Sequence, residues 1–263
     1  VYEIPEGSKN SKGRAIQNLI NIEQDDRVKA FICTQDLKDE EYVNSNYVIM
    51  ATKMGQVKKT SLEQYSRPRS NGINAITIKD GDELLEAKLT NGNSQIMLAV
   101  KSGKAIRFEE SKTRPMGRNA SGVRGIRLKD NKDEVVGMIS VNDMDANILV
   151  VSENGYGKRS SLEDYRLTNR GGKGVKTISI TEKTGKLVTL KSVSDSDDLM
   201  IINKSGIAIR MQVEDLRVMG RATQGVKVIS LKDGDSIAAV AKVMKDDDDL
   251  EDINEIEFTG DTV

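Results

Sequence analysis

The sequence predicts an all-β fold, a propeller-like radial array of four-stranded units. Three observations predict it. First, Gly55, Gly103, Gly155 and Gly206 stand 48, 52 and 51 residues apart, and each sits between two short apolar runs. Second, each is followed by another glycine, Gly72 after 17 residues and Gly122, Gly174 and Gly225 after 19. Third, the runs between them are short and rich in Val and Ile, which suits strands rather than helices. Four strands in a repeat of about 50 residues is the arithmetic of a propeller blade or a close relative.

The elements follow in order. Residues 1–34 hold only the second half of a unit, with Gly13, Ile16 and Leu19 in the matching places. Residues 35–46, with Asp36, Asp39, Glu40 and Glu41, read as an acidic insertion and are expected to form a surface loop. Whole units then cover about 47–90, 95–141, 147–193 and 198–243. In each, an apolar strand ends in a glycine turn, whose positive φ suits a tight hairpin. A second strand returns. The later glycine opens a third apolar run, at 73–78, 123–128, 175–180 and 226–231. A polar turn such as Asp80-Gly81 or Asp233-Gly234 leads to the last strand, such as 187–190. Sequence leaves the wiring of the four strands open.

Composition narrows function. The 263 residues contain no histidine and no tryptophan, and aromatics are 3 %. Ser-His and Cys-His nucleophile systems and His-ligated metal sites are therefore excluded. Stacking of bases on aromatic platforms is disfavoured. No apolar run is long enough to span a bilayer. The first residues show neither a basic nor an apolar signal region, so no signal peptide is expected. The one cysteine, Cys33, stands in the apolar run Ala30-Phe31-Ile32-Cys33 and is expected to be a buried thiol. A single cysteine fits a reducing compartment.

The net charge of −1 conceals segregation. Residues 244–263 carry Lys245 against nine carboxylates, net −8, which leaves +7 on residues 1–243. A basic body with an acidic tail suits a polyanionic ligand.

The bases recur with the repeat. Arg118, Arg170 and Arg221 stand four residues before the second glycine, and Arg114, Arg166 and Arg217 eight before it. The first whole unit offers Arg67 and Arg69 in a shorter loop. Lys59, Arg107, Arg159 and Arg210 stand four residues past the first glycine. Equal positions in a radial array draw an arc of positive charge, which can follow a bent phosphate backbone without reading bases. Alternatively, these arginines pair with blade-to-blade carboxylates such as Glu163, Asp164, Glu214 and Asp215. The loop Arg170-Gly171-Gly172-Lys173-Gly174 adds a guanidinium fork, a point charge and glycines that let backbone N–H groups approach phosphate. A Walker-type loop would enter a helix. Here the next run, 175–180, reads as strand, so that option is excluded.

Several phrases, taken in order, resemble the C-terminal domain of the bacterial DNA gyrase A protein. They are Val57-Lys58-Lys59-Thr60, Asp80-Gly81-Asp82-Glu83-Leu84, Gly122-Val123-Arg124-Gly125-Ile126-Arg127-Leu128, Asn154-Gly155-Tyr156-Gly157-Lys158-Arg159 and Gly220-Arg221-Ala222-Thr223-Gln224-Gly225-Val226. The likeness runs from Val1 to about Val243. It implies a β-pinwheel, a six-bladed disc with duplex DNA wrapped on its rim, over residues 1–243. It also implies that the first blade lies outside this chain, with the family's Gln-Arg-Arg-Gly-Gly-Lys-Gly box. Asn169-Arg170-Gly171-Gly172-Lys173-Gly174 is a relative of that box in the fifth blade. The resemblance implies a non-catalytic domain of an ATP-dependent type II topoisomerase. Its partners would be duplex DNA, the rest of the gyrase A protein and the gyrase B protein in an A2B2 holoenzyme. ATP and Mg2+ would act elsewhere, no cofactor or metal would bind here, and the setting would be the bacterial cytoplasm and nucleoid. Two other readings stand beside it: the related domain of topoisomerase IV, and a propeller-type protein-binding scaffold.

The tail at 244–263 is expected to be flexible and to compete with DNA for the arc at a high effective concentration. Its removal should tighten duplex binding at low salt, read by titration of labelled DNA. Unchanged or weaker affinity would rule the competition out.

Overall fold

The computed structural model describes residues 26–69 and 72–243, together with Ser8 and Lys12. Gly13, Ile16, Leu19 and the acidic tail lie outside the described residues.

Among the described residues the fold is all-β apart from one short helix and three 3-10 turns. The first sheet contains β1 (Tyr47–Thr52), β2 (Gln56–Ser61) and β3 (Leu84–Thr90). The second contains β4 (Gln95–Val100), β5 (Lys104–Glu109) and β7 (Val135–Val141). The third contains β8 (Asn147–Ser152), β9 (Tyr156–Ser161) and β11 (Leu187–Val193). The last contains β12 (Asp198–Asn203), β13 (Ala208–Gln212) and β15 (Ile237–Val243). The two-residue strands β6 (Val123–Arg124), β10 (Val175–Lys176) and β14 (Val226–Lys227) remain.

These short strands settle the wiring. Each pairs with the sheet of the preceding unit, β6 with β2, β10 with β5 and β14 with β9, all antiparallel. The strand orders are β3-β1-β2-β6, β7-β4-β5-β10, β11-β8-β9-β14 and β15-β12-β13. Every sheet but the last is thus completed by the unit that follows it. The third apolar runs are shorter as strands than expected. After two residues the backbone turns to the preceding hairpin: the amides of Gly125, Thr177 and Val228 donate to the carbonyls of Gly55, Gly103 and Gly155 at 2.8, 2.9 and 2.8 Å. Residues 73–78 form no strand. The unit that would precede them lies outside the described residues.

The second glycine permits this donation. Gly122, Gly174 and Gly225 have φ of +87°, +69° and +80°. A Cβ there would lie 2.5, 2.4 and 2.5 Å from the carbonyl oxygens of Val57, Ala105 and Gly157 in the preceding sheet. Only glycine suits both the left-handed backbone and the close approach.

The core lies between sheets. One face of β4, with Ile96, Leu98 and Val100, packs with Ile49, Ala51 and Val57 of the first sheet. The other face, with Met97 and Ala99, packs with Ile148 and Val150 of the third. Leu149 and Val151 repeat the pattern against Leu199 and Ile201. These central strands are buried on both faces, so they read as continuous apolar runs. The strands β3, β7, β11 and β15 pack against one another in succession, which leaves β6, β10 and β14 at the opposite edge of their sheets.

Two expectations are corrected at the N-terminal side. The acidic insertion is not a plain loop. It contains α1 (Glu40–Ser45), capped by Asp39, whose carboxylate accepts from the Glu41 and Tyr42 amides at 3.0 and 3.1 Å. Val43 is buried and packs with Val48, Met50 and Leu62 at the exposed end of the array. Cys33 is exposed rather than buried. The run 30–33 alternates: Ala30 and Ile32 pack inward on this cluster, while Phe31 and Cys33 face outward.

Gly174→Ala should cost about 2–5 kcal/mol, combining left-handed strain with overpacking against a carbonyl. Gly206→Ala should cost only about 1–2 kcal/mol, because φ is +86° but nothing stands within 4 Å. Denaturant midpoints of the two variants measure the difference, and equal losses would contradict the close-approach account.

Candidate nucleic-acid interface

The loop that leads from each second strand to the second glycine carries most of the repeated bases. It starts in a 3-10 turn, Glu110–Lys112 or Leu162–Asp164, and then runs along the preceding sheet. Its backbone is held there. The amides of Met116, Thr168 and Met219 donate to the carbonyls of Lys59, Arg107 and Arg159 at 2.8, 2.9 and 2.8 Å. Below the loop sit two buried lysines. Lys58 Nζ donates to the carbonyls of Ala75 and Arg118, and Lys158 Nζ donates to that of Gly220 at 2.6 Å. Both side chains are buried. Burial first, and then the Arg118 guanidinium, pushes Lys58 down to about 8. Burial pushes Lys158 down to about 8 against the opposing pull of the Asp164 carboxylate.

The sequence-predicted bases divide into three groups. The first bridges units and stays half-exposed. Arg118, Arg170 and Arg221 donate from Nη1 to the carbonyls of Asn74, Arg124 and Lys176, at 3.1, 3.0 and 2.9 Å. Each acceptor lies two residues past the second glycine of the preceding unit. Arg170 also donates from Nε to Lys112 O at 2.9 Å. These arginines are blade-to-blade ties, but through carbonyls rather than the carboxylates of Glu163, Asp164, Glu214 or Asp215. Asp164 does join the arrangement, accepting from the Arg221 amide at 3.3 Å.

The second group is exposed. Arg67, Arg69, Arg114, Arg166, Arg217 and Lys173 form no ion pair and no side-chain hydrogen bond among the described residues. A cleft of about 170 Å³ opens beside Arg107, Arg166, Thr168, Asn169 and Lys173.

The third group, four past the first glycine, mostly points inward. Lys59 is 4 % exposed, pairs with the buried Glu110 at 2.9 Å and lies 4.1 Å over the Tyr47 ring. Arg159 is 7 % exposed and binds Leu216 O and Asp195. Arg107 is half-buried and reaches the carbonyls of Leu162 and Tyr165 in the next unit at 2.9 and 3.1 Å. The repeat spacing predicts these three in the phosphate arc. The structure corrects that: their charges tie neighbouring units and are not presented to a ligand. Arg210 is exposed and pairs with Asp198 at 2.7 Å. Among the described residues no later unit stands beside it to cover it.

The glycines of the basic loop are also engaged. The Gly171 amide donates to Gly125 O at 2.6 Å, and Gly172 O accepts from the Arg127 amide at 2.8 Å. Gly174 makes the close approach to Ala105. The loop is therefore a seam between two units as well as a basic surface, and the Gly171 N–H is not available to an anion.

One column of bases escaped the sequence reading. Arg124, Lys176 and Lys227, two residues past the second glycine, are exposed on β6, β10 and β14. Their equal spacing was the signal. Together with Arg114, Arg166 and Arg217 and the bridging Arg118, Arg170 and Arg221, they give three columns of positive charge along the outermost strands. Among the described residues no three carboxylate or thiol groups are placed to hold a metal ion, and no helix is long and apolar enough to cross a membrane.

The family model described as "DNA gyrase C-terminal domain, beta-propeller" matches residues 1–35, 46–91, 95–142, 146–194 and 197–244. The chain belongs to the DNA gyrase C-terminal domain family. It is 45 % identical over 248 residues to the DNA gyrase A protein of Staphylococcus epidermidis, which covers 94 % of this chain and 27 % of that protein. It is 44 % identical over 264 residues to that of Staphylococcus aureus, covering 100 % of this chain and 29 % of the relative. The chain thus spans little more than a quarter of the length of these curated relatives. A solved C-terminal domain of DNA topoisomerase IV is similar at a TM-score of 0.85 and 25 % identity, over 98 % of this chain and 79 % of that one. A solved DNA gyrase A C-terminal domain is similar at 0.77 and 26 %, over 89 % and 76 %. In this member of the gyrase C-terminal-domain family, the β-pinwheel arises from the donated strands β6, β10 and β14.

The buried lysines set a pH dependence. Their folded-state values of about 8 lie below the usual 10.5, so the unfolded chain binds more protons between those limits. Their contribution to stability is fully present above 10.5 and is lost as pH falls toward 8. Lys58→Met and Lys158→Met should flatten the rise in stability between about pH 8 and 10, measured by denaturant unfolding. An unchanged slope would overturn the assignment.

Proposed function

We propose that this domain binds duplex DNA along its outer edge with little sequence preference and bends it. In this reading it supports negative supercoiling by a gyrase holoenzyme, an A2B2 assembly with the rest of the gyrase A protein and the gyrase B protein, in the cytoplasm. The domain has no catalytic role of its own, and ATP and Mg2+ act elsewhere in the assembly. The observation that carries the reading is the recurrence of exposed Arg114, Arg166 and Arg217 beside Arg124, Lys176 and Lys227 at equal positions in successive units. Phosphates need only charge at the right spacing, and a periodic array supplies it. The names of the sequence relatives support the same reading.

The likeness to the topoisomerase IV domain supports a second reading, DNA binding with less wrapping. The intact Arg170-Gly171-Gly172-Lys173-Gly174 loop favours gyrase-like wrapping. Smooth bending of a 20–30 base-pair site costs about 1–6 kcal/mol, so wrapping needs contacts made only on the bent duplex.

Ligase-closed circles formed in the presence of the protein separate the readings. A shift in linking number supports wrapping, and binding without a shift supports the topoisomerase IV-like alternative. Arg170→Ala with Lys173→Ala should reduce that shift more than affinity, and equal losses would deny this loop a special part. Arg166→Ala should lower the slope of log affinity against log salt by about 0.9 per lost phosphate contact. A slope that stays flat in the unaltered chain would sink the DNA reading itself.

A further inference from the structure

The rim carries apolar side chains that phosphate binding does not explain. Each exposed arginine of the outer column is followed by one: Arg67-Pro68, Arg114-Pro115, Arg166-Leu167 and Arg217-Val218. Leu167 is 45 % and Val218 54 % exposed, and Pro68 and Pro115 are exposed as well. Single exposed apolar residues are ordinary. Pro115, Leu167 and Val218 at equal places beside a base, with Pro68 close to the same place, are a pattern.

The backbone beneath them is rigid. Pro115, Leu167 and Val218 each form a parallel bridge to Lys59, Arg107 and Arg159 of the preceding unit. The next residue's amide donates to the same partner's carbonyl, at 2.8 to 2.9 Å. Lys58 and Lys158 anchor the following turns from below. Three residues beyond Pro115, Leu167 and Val218 stand Arg118, Arg170 and Arg221, held to a neighbouring unit by Nη1. The result is a clamped backbone that presents base, apolar side chain and base in a row, repeated from unit to unit.

We infer that Pro115, Leu167 and Val218 are minor-groove wedges, each pressed into the groove of a bent duplex between flanking arginines. This inference rests on the DNA reading above. A narrow minor groove concentrates negative potential and attracts arginine. Apolar side chains set between bases of a bent duplex lean on sugars and base edges and open a step toward the major groove. A wedge flexes pyrimidine–purine steps most readily. The protein then prefers positions of a sequence rather than sequences. Flexible steps are favoured where the groove faces the rim, once in about ten base pairs.

The test uses two duplexes of equal composition, with TA steps either in phase at about ten base pairs or out of phase. The full chain is compared with Leu167→Ser/Val218→Ser, whose melting curve checks folding. The unaltered chain should favour the in-phase duplex by about threefold or more, as expected for a deformation penalty avoided at several steps. The variant should lose that preference and keep its salt slope, because its phosphate contacts are intact. A preference retained by the variant, or absent from a chain that binds with a steep salt slope, would overturn the wedges and leave the DNA reading standing. Absence of salt-dependent binding in the unaltered chain would remove both. A second variant, Pro115→Ala, guards against a folding defect at the other two sites and should weaken the same preference.

Discussion

The structure depends on a single close approach, the second glycine of each unit against a carbonyl of the unit before it. At Gly122, Gly174 and Gly225 the chain crosses from its own sheet to its predecessor's and adds a two-residue strand. Two residues supply few hydrogen bonds, so the junction is reinforced from both directions. The first-glycine carbonyls of one unit receive amides from the next, and Arg118, Arg170 and Arg221 bind back to the donated strand's neighbour. A β-sheet edge is ordinarily a liability. Here the edge of each sheet is occupied by its successor.

That wiring gives the arginines a double part. A guanidinium has five donors in a fixed fork, so one N–H can hold a carbonyl while others face outward. Arg170 binds both Lys112 O and Arg124 O and still lies at the surface. A lysine could not replace it without losing one of those geometries. The residues further in, Lys59, Arg107 and Arg159, do the tying without the display. Lys59 faces a carboxylate that is fully buried, and such a pair is costly to break from one side only.

Much of the architecture could be read from the chain because it is local. Hairpin glycines such as Gly155 need only their immediate neighbours to require positive φ, and the run 148–151 is apolar throughout because both faces are buried. The wiring could not be read. Val123 is as apolar as a strand of its own sheet, and nothing near it names Val57 as its partner. The same limit explains the bases. Arg114 and Lys59 each recur at fixed spacing, yet Lys59 meets Glu110 in the next unit and is buried, whereas the Arg114 side chain bonds to none of the described residues. Spacing identifies equivalence and is silent about which side of a strand faces a neighbour. Other misses were legible. Arg124, Lys176 and Lys227 share a spacing, and Asp39 before Glu40-Glu41 with Val43 behind is a helix start inside an insertion that otherwise reads as a loop. Ala30 to Cys33 alternates, which should have placed Cys33 outside.

The donated strand also orders events in time. Gln56 finds its partner in Arg124, roughly 70 residues later in the chain. A ribosome that adds about 5–20 residues per second delivers that partner roughly 4–14 s after the strand it completes. Each sheet therefore waits with three strands and one bare edge until most of the next unit has emerged. Assembly proceeds one repeat behind synthesis, and the sheet in the making is always the one most recently left open.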